Sequence, residues 1–376
     1  MIDKNQKLKR ALIWLPAKLY ELLVRVRVAA YETGYLKAKQ LQATVIGIGN
    51  ITVGGTGKTP LVEYIARYLR DEGYSVAILT RGYSRSSRGR RALNVPARVA
   101  EEARVINQTN EPALKRKNDE AAAHEFGDEA LMLARSLGDV PVVVDRNRFE
   151  GGEWAEKVLG SEVFILDDGY QHLQLARDLN IILLDATDPF GEFEMVPFGR
   201  LREPLYGLKR ADVVIITRAH RPFDQAQVQA VLKLFSSEGT PVLYFYSIIP
   251  RLRHLSTGET YDSNLFAGWN AALMCGIGNP HAFADDVLQI GVNIVRENFF
   301  ADHHSFTQSD VDNVVASARE VGADAIIVTE KDAVRFDGLT FDGFPAYAAQ
   351  LVLQSDDEVR LKSLLLRVVT STAARK

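Results

Sequence analysis

The stretch Thr44-Val45-Ile46-Gly47-Ile48-Gly49-Asn50-Ile51-Thr52-Val53-Gly54-Gly55-Thr56-Gly57-Lys58-Thr59-Pro60 decides the architecture. Residues 44–48 form a short apolar run suited to a buried strand, and from Pro60 to position 71 the apolar spacing becomes helical. Between them, Gly54, Gly55 and Gly57 let backbone N–H groups turn inward on phosphate oxygens without a Cβ in the way. The N-terminus of the following helix adds the positive end of its dipole. In such a loop Lys58 reaches the β- and γ-phosphates and the Thr59 hydroxyl ligates Mg²⁺. The loop departs from G-x-x-x-x-G-K-[ST] at one position, where Thr52 stands for the first glycine. This reading assigns Thr52, Val53, Gly54, Gly55, Thr56, Gly57, Lys58 and Thr59 to ATP, with Lys58 also acting in catalysis.

Outward from the loop, short apolar runs alternate with helical patterns. Residues 75–80, 140–145, 163–167, 181–185, 213–217 and 241–246 read as further buried strands, with helical patterns such as 129–137 between them. That alternation predicts a parallel sheet with helices on both faces. The segment 84–125 reads as an insertion, a loop plus helix. The pattern lapses around 247–270 and resumes with strands near 272–276, 292–299, 325–329 and 347–353 among helices at 281–288, 309–321 and 358–368. The expected division is therefore an N-terminal helix over 1–40, a P-loop domain over 41–250 and a smaller α/β domain over 251–376 that closes the cleft.

A second signature is Val163-Phe164-Ile165-Leu166-Asp167-Asp168-Gly169, four apolar residues ending in paired carboxylates. It delivers acid groups to the carboxyl edge of a parallel sheet, where α/β folds place ligands, and one carboxylate there can hold Mg²⁺ directly or through water. Two aspartates in that position also serve as turn formers or helix caps.

At 376 residues the chain is long enough for two domains with sizeable cores, and 47% hydrophobic and 25% charged residues place it among ordinary globular proteins. The net charge of -3 argues against a general nucleic-acid binder. Cys275 is the only cysteine, which excludes an intrachain disulfide and any Cys-based zinc cluster and fits a reducing compartment. No secretory signal or run of 18 apolar residues is read. Positions 1–40, however, hold nine basic side chains against three acidic ones, a net of +6, so the other 336 residues carry -9. Within them Leu12, Leu15, Leu19, Leu22, Leu23, Val26 and Ala30 recur at spacings of three and four, opposite Lys18, Glu21 and Arg25. Such an amphipathic helix either packs on the protein's own core or lies in a lipid interface.

These segments, with Arg81-Gly82-Tyr83, Gly127-Asp128-Glu129, Asp167-Asp168-Gly169-Tyr170-Gln171-His172, Leu201-Arg202-Glu203-Pro204, Asp302-His303 and Thr329-Glu330-Lys331-Asp332, resemble in the same order the tetraacyldisaccharide 4'-kinase family, from the N-terminal helix to about residue 335. The resemblance implies transfer of the γ-phosphate of ATP to the 4'-hydroxyl of a tetraacyl disaccharide 1-phosphate, in a cleft between two α/β domains. It also implies peripheral attachment to the cytoplasmic face of a Gram-negative inner membrane, a lipid substrate, no obligate protein partner, and a lipid-interface role for the first helix. By resemblance Asp167 or Asp168, with Glu203, joins Thr59 around Mg²⁺, Asp168 also acts in catalysis, Arg202 lies near the phosphates, and His303 works with an aspartate on the sugar hydroxyl. Arg81, Asn147 and Arg148 are candidate substrate contacts, and the arginines at 81, 85, 88, 90 and 91 are candidates for the 1-phosphate.

One departure concerns the aspartate. Some relatives have Asp-Arg before a glycine or alanine pair, whereas this chain reads Asn147-Arg148-Phe149-Glu150-Gly151-Gly152. Asp145, two residues earlier and on the same face of an extended strand, could substitute, and His303 alone or Asp302 are the alternatives. A competing class, the deviant-Walker ATPase switch on membranes, carries a lysine just before the glycine pair; here that position is Val53. A non-catalytic nucleotide-binding scaffold would bind ATP without forming a lipid product.

Overall fold

The computed structural model describes residues 4–82, 89–96, 99, 125–302, 304–336 and 338–374. The first sheet comprises β1 (Thr44–Asn50), β2 (Val76–Thr80), β3 (Arg91–Leu93), β4 (Val142–Val144), β5 (Val163–Leu166), β6 (Leu179–Asp185), β7 (Val213–Thr217) and β8 (Val242–Tyr244). Their order is β3-β4-β2-β5-β1-β6-β7-β8, parallel except for the short β3. All seven residues of β1 are buried, because strands on both sides and helices on both faces leave it no solvent. β1 pairs with β5 on one side and β6 on the other, so the glycine loop after Asn50 emerges beside the carboxylates after β5.

The helices are α1 (Lys4–Glu32), α2 (Lys58–Asp71), α3 (Asp128–Leu137), α4 (Arg148–Leu159), α5 (Gln225–Phe235), α6 (Pro280–Leu288), α7 (Gln308–Glu320) and α8 (Glu358–Ala373). One face of the first sheet is covered by α2, α3 and α8, the other by α4 and α5.

The second sheet contains β9 (Tyr246–His254), β10 (Thr260–Asp262), β11 (Asn270–Cys275), β12 (Asn293–Phe299), β13 (Ala325–Thr329) and β14 (Ala346–Gln354), in the order β10-β9-β14-β13-β11-β12. Strands β11 to β14 are parallel, and β9 runs antiparallel to β14. Helix α7 covers one face and α6 the other.

The chain's division differs from the sequence expectation at both ends of the second lobe. The expected strand 241–246 splits at Phe245, which is buried in the first core, and the expected lapse after 247 is the long β9 with its partner β10. The C-terminal helix α8 returns to the first lobe, where Leu361, Leu365 and Val369, each four residues apart, pack with Ile46, Ile181 and Val213. Periodicity reveals that α8 has an apolar stripe; which sheet it covers is a tertiary matter. The two crossings lie side by side, since the Tyr244 N–H donates to Asp357 Oδ2 at 2.9 Å and its carbonyl accepts from Ser355 Oγ at 2.5 Å.

Helix α1 is longer than the pattern suggests. It docks through Ala17 and Val28, both buried, while Leu19, Leu22, Leu23 and Val26 remain 55% to 59% exposed. Tyr20 Oη donates to the Arg202 carbonyl at 3.0 Å, and the Arg25 guanidinium lies 5.9 Å from the Tyr206 ring centre. Among the described residues no helix is long and apolar enough to cross a membrane.

Because Leu365 is fully buried between α8 and the sheet, Leu365→Ala should cost about 2–5 kcal/mol of first-lobe stability. A lowered denaturant midpoint would report it, and an unchanged midpoint would contradict the packing of α8 described above.

Candidate active site

The glycine loop has the backbone that anion binding requires. Gly54 and Gly57 adopt φ of 107° and 82°, in the left-handed region, where a side chain would be strained. Gly57 caps α2 without any side-chain hydrogen bond to the helix, so the first N–H groups of α2 point into the cleft. Asn50 braces the loop from beneath: its Nδ2 donates to Thr56 Oγ1 at 3.0 Å, and its Oδ1 accepts from Lys58 Nζ at 3.2 Å and Arg202 Nη1 at 3.1 Å. Residues 53–59 line a cleft of about 1700 Å³ between the lobes. Thr52 does not; it is buried and bridged to Leu201, so it shapes the loop's entry instead of facing a ligand.

The two aspartates after β5 have opposite environments. Asp167 is buried, accepts from Thr80 Oγ1 at 3.3 Å, and is pushed up to about 7 by burial and by the carboxylates of Glu129 and Asp168. Asp168, at φ 48°, is gripped at both oxygens by the Arg202 fork at 2.7 and 2.9 Å, with Lys58 Nζ 3.5 Å away. Burial acts against its charge, yet Lys58 and Arg202 hold its carboxyl well below the usual range.

Other expected residues fall in different places. Glu203 is 2% exposed and occupied by Arg210 Nη2 at 2.5 Å and Gln171 Nε2 at 2.7 Å, outside the residues that line the cleft. Asp145 likewise turns away: it accepts from Arg90 Nε at 3.0 Å and from the Asn147 N–H at 2.9 Å. Asn147 caps α4, and its amide donates to Glu150 at 2.6 Å, so the sequence departure at this position is a helix cap. Arg81 and Arg148 do line the cleft, as does Arg202. Arg148 is buried, lowered to about 10 by burial and then by Arg81, and its Nε has no partner among the described residues. Of the other arginines, Arg90 and Arg91 are engaged by Asp145 and Glu125, and positions 85 and 88 lie outside the described residues, as does His303. Its neighbour Asp302 lines the cleft.

The cleft also holds residues that motif reading left without a role, among them Arg27, Glu129, His172 and Lys331. The signal for three of them was their place inside the quoted Gly-Asp-Glu, Gln-His and Glu-Lys-Asp segments. The second lobe covers the glycine loop directly. A Cβ on Gly278 would stand 3.2 Å from Asp302 Oδ2 and from Gly54 Cα, and 3.3 Å from the Gly55 nitrogen, so a side chain there would press on the glycine loop.

Among the described residues no three His, Cys, Asp or Glu side chains are grouped to cage a metal. Thr59 and Asp167, which both line the cleft, fit the other way of holding Mg²⁺, with one or two protein oxygens and the rest from phosphate and water.

A lysine-tipped glycine loop at the head of a helix, with carboxylates on the adjacent strand and a second lobe above, defines a P-loop phosphotransferase. The family model described as LpxK, tetraacyldisaccharide-1-P 4'-kinase, matches residues 9–370, and the chain belongs to that family. It is 35% identical over 364 residues to the tetraacyldisaccharide 4'-kinase of Geobacter sulfurreducens, covering 96% of this chain and 94% of that one. The corresponding protein of Halothermothrix orenii is 34% identical over 330 residues, covering 85% and 81%. Among solved structures, LpxK from Aquifex aeolicus in complex with ATP superposes with a TM-score of 0.71 at 29% identity, over 96% of this chain and 99% of that one.

His172 generates a test of this site. Burial, then Arg148 and Arg177, lowers its imidazole from 6.5 to about 3. Between those values the unfolded chain binds a proton that the folded one refuses, so stability falls as pH drops through this window, by up to about 1.4 kcal/mol per unit. Urea midpoints near pH 7 and near pH 5 should differ less in His172→Gln than in the parent protein. Equal differences would show that His172 is not held neutral in the cleft.

Proposed function

We propose that the chain transfers the γ-phosphate of ATP to the 4'-hydroxyl of tetraacyldisaccharide 1-phosphate, making a bis-phosphorylated lipid A precursor. The observation that carries this is Lys58 at the head of α2 facing Asp167 and Asp168 across one cleft, in a chain whose family match runs from 9 to 370. In the transfer the sugar oxygen bonds to the γ-phosphorus, the bond to the ADP oxygen breaks, and the hydroxyl proton passes to a base. Lys58 and the N–H groups of residues 53–59 hold the phosphates, and Arg202 adds positive charge where charge spreads in the transition state. Thr59 and Asp167 are the residues that would hold Mg²⁺, which when bound neutralises the phosphate oxygens. Asp145 pairs with Arg90 and does not line the cleft, so the acid/base work is assigned to Asp302, which does line it, or by family resemblance to His303. Arg81 and Arg148 are suited to the substrate's 1-phosphate, since both add positive charge to the cleft and Arg148 Nε has no partner among the described residues.

Peripheral attachment to the cytoplasmic face of the inner membrane is supported by α1. Its apolar stripe faces away from the protein, not into its core, on a segment of net charge +6. Four exposed aliphatic side chains beside a basic surface suit an anionic lipid interface, and a substrate with four acyl chains stays in one.

With γ-labelled ATP and the tetraacyl disaccharide 1-phosphate in mixed micelles, the parent protein should yield labelled bis-phosphorylated lipid and Lys58→Ala none. ATP hydrolysis without labelled lipid would refute the acceptor. In vesicle flotation with anionic lipid, replacing Leu19, Leu22, Leu23 and Val26 by serine should weaken binding at least about tenfold; unaltered flotation would exclude the stripe as the attachment site.

A further inference from the structure

The segment Thr329-Glu330-Lys331-Asp332 has no part in the chemistry above, yet it forms a built joint across the cleft. Thr329 caps the single turn Glu330–Ala333: its Oγ1 accepts the Asp332 N–H at 3.0 Å and donates to Asp332 Oδ2 at 2.7 Å. Asp332 is completely buried, and the same Oδ2 accepts the Gly276 N–H at 3.1 Å. Arg335 Nη1 donates to Asp332 Oδ1 at 3.0 Å and to the Gly276 carbonyl at 3.2 Å. Gly276 is thus held by both its N–H and its carbonyl, at the start of the loop whose Gly278 lies on Gly54 and Gly55. From this turn and the residues just after it two cations reach the first lobe. Arg335 Nε donates to Asp128 Oδ2 at 2.9 Å, and Lys331 Nζ stands 3.6 Å from Glu129 and 3.6 Å from Asp302. Asp128 and Glu129 are the first two residues of α3.

We propose that Lys331 and Arg335 are positioning residues that form a closing clamp, fixing together how the 276–278 loop presses on the glycine loop and where Glu129 and Asp302 stand in the cleft. The assignment rests on the kinase reading, because those distances matter only if a phosphate and its acceptor lie between the lobes. Lys331 sits between two carboxylates from opposite lobes that otherwise repel, so the three charges have their lowest energy when the lobes are closed. Arg335, 7% exposed, bridges one carboxylate of each lobe, and opening the lobes would break its pair with Asp128. Neither residue needs to touch the reactants to act in this way.

The test measures the distance between the lobes in the full chain, with spin labels at Lys157→Cys and Glu320→Cys, two exposed sites on α4 and α7. Cys275 is buried and stays unlabelled. With a non-hydrolysable ATP analogue and Mg²⁺, the parent should give one narrow distance. Lys331→Met should give a longer or broader distribution and a kcat for lipid phosphorylation lower by about tenfold or more, with the KM for ATP changed less than about threefold. Lys331→Arg should restore both, and Arg335→Lys, which keeps the charge but loses the fork, should fall between. An unchanged distribution in Lys331→Met overturns the clamp. So does a lower kcat at unchanged distances, which would put Lys331 on the reactants. Failure of the parent to phosphorylate the lipid, with distances still responsive to Lys331→Met, would sink the kinase reading and leave the clamp standing.

Discussion

The pairing of Asp168 with Arg202 and Lys58 is the constraint on which the site depends. Arg202 occupies both carboxylate oxygens, while Lys58 and Arg202 also share Asn50 Oδ1, so the end of β5, the end of β1 and the head of α2 form one charged knot. A left-handed residue after β5 is needed to turn Asp168 into that knot and leave Asp167 behind in the buried strand end. Two adjacent carboxylates thereby acquire different characters, one ionised by its cations and the other pressed toward neutrality by burial. The knot also extends outward, since the backbone of Arg202 accepts the Tyr20 hydroxyl of α1. The helix that presents the exposed aliphatic stripe is therefore one hydrogen bond away from the residue that holds the site's ionised aspartate.

The first lobe was legible because its signals are local. Apolar runs with β-branched residues, a glycine loop between strand and helix, and paired acids at a strand end each announce themselves within a few positions. What escaped depends on partners distant in the chain. Glu203 looks like a ligand beside Arg202, but Arg210 and Gln171 reach it first, and a neighbouring arginine seven residues on gives no sign of which way its guanidinium turns. Asp145 shares a strand face with Asn147 in an extended chain, yet the chain bends into α4 at that point and Asn147 becomes its cap. The same holds for α8, whose apolar stripe was plain and whose destination was not.

Apolar packing dominates within each lobe, whereas the named contacts across the cleft are largely polar. Arg221 pairs with Asp285 and Asp286 on α6, Arg335 with Asp128, and Lys331 with Glu129, while Gly278 touches the glycine loop through backbone atoms. Polar joints of this kind suit surfaces that separate and rejoin, because water can satisfy them when they part. Lys58 and Asp168 lie beneath this lid, so closing it removes the water that would screen their charges.

The return of α8 has a consequence for how the protein is made. A ribosome delivers the first lobe's strands early, but the helix that covers part of their apolar face comes only after the whole second lobe has been synthesised. Until then the core that holds Ile46, Ile181 and Val213 lacks Leu361, Leu365 and Val369. The first lobe cannot complete its core before residues 358–373 have been made, and the second lobe must form, or at least be spanned, before the chain closes on itself. A nascent chain arrested before residue 358 would display a sticky seam, a natural recognition mark for chaperones and proteases.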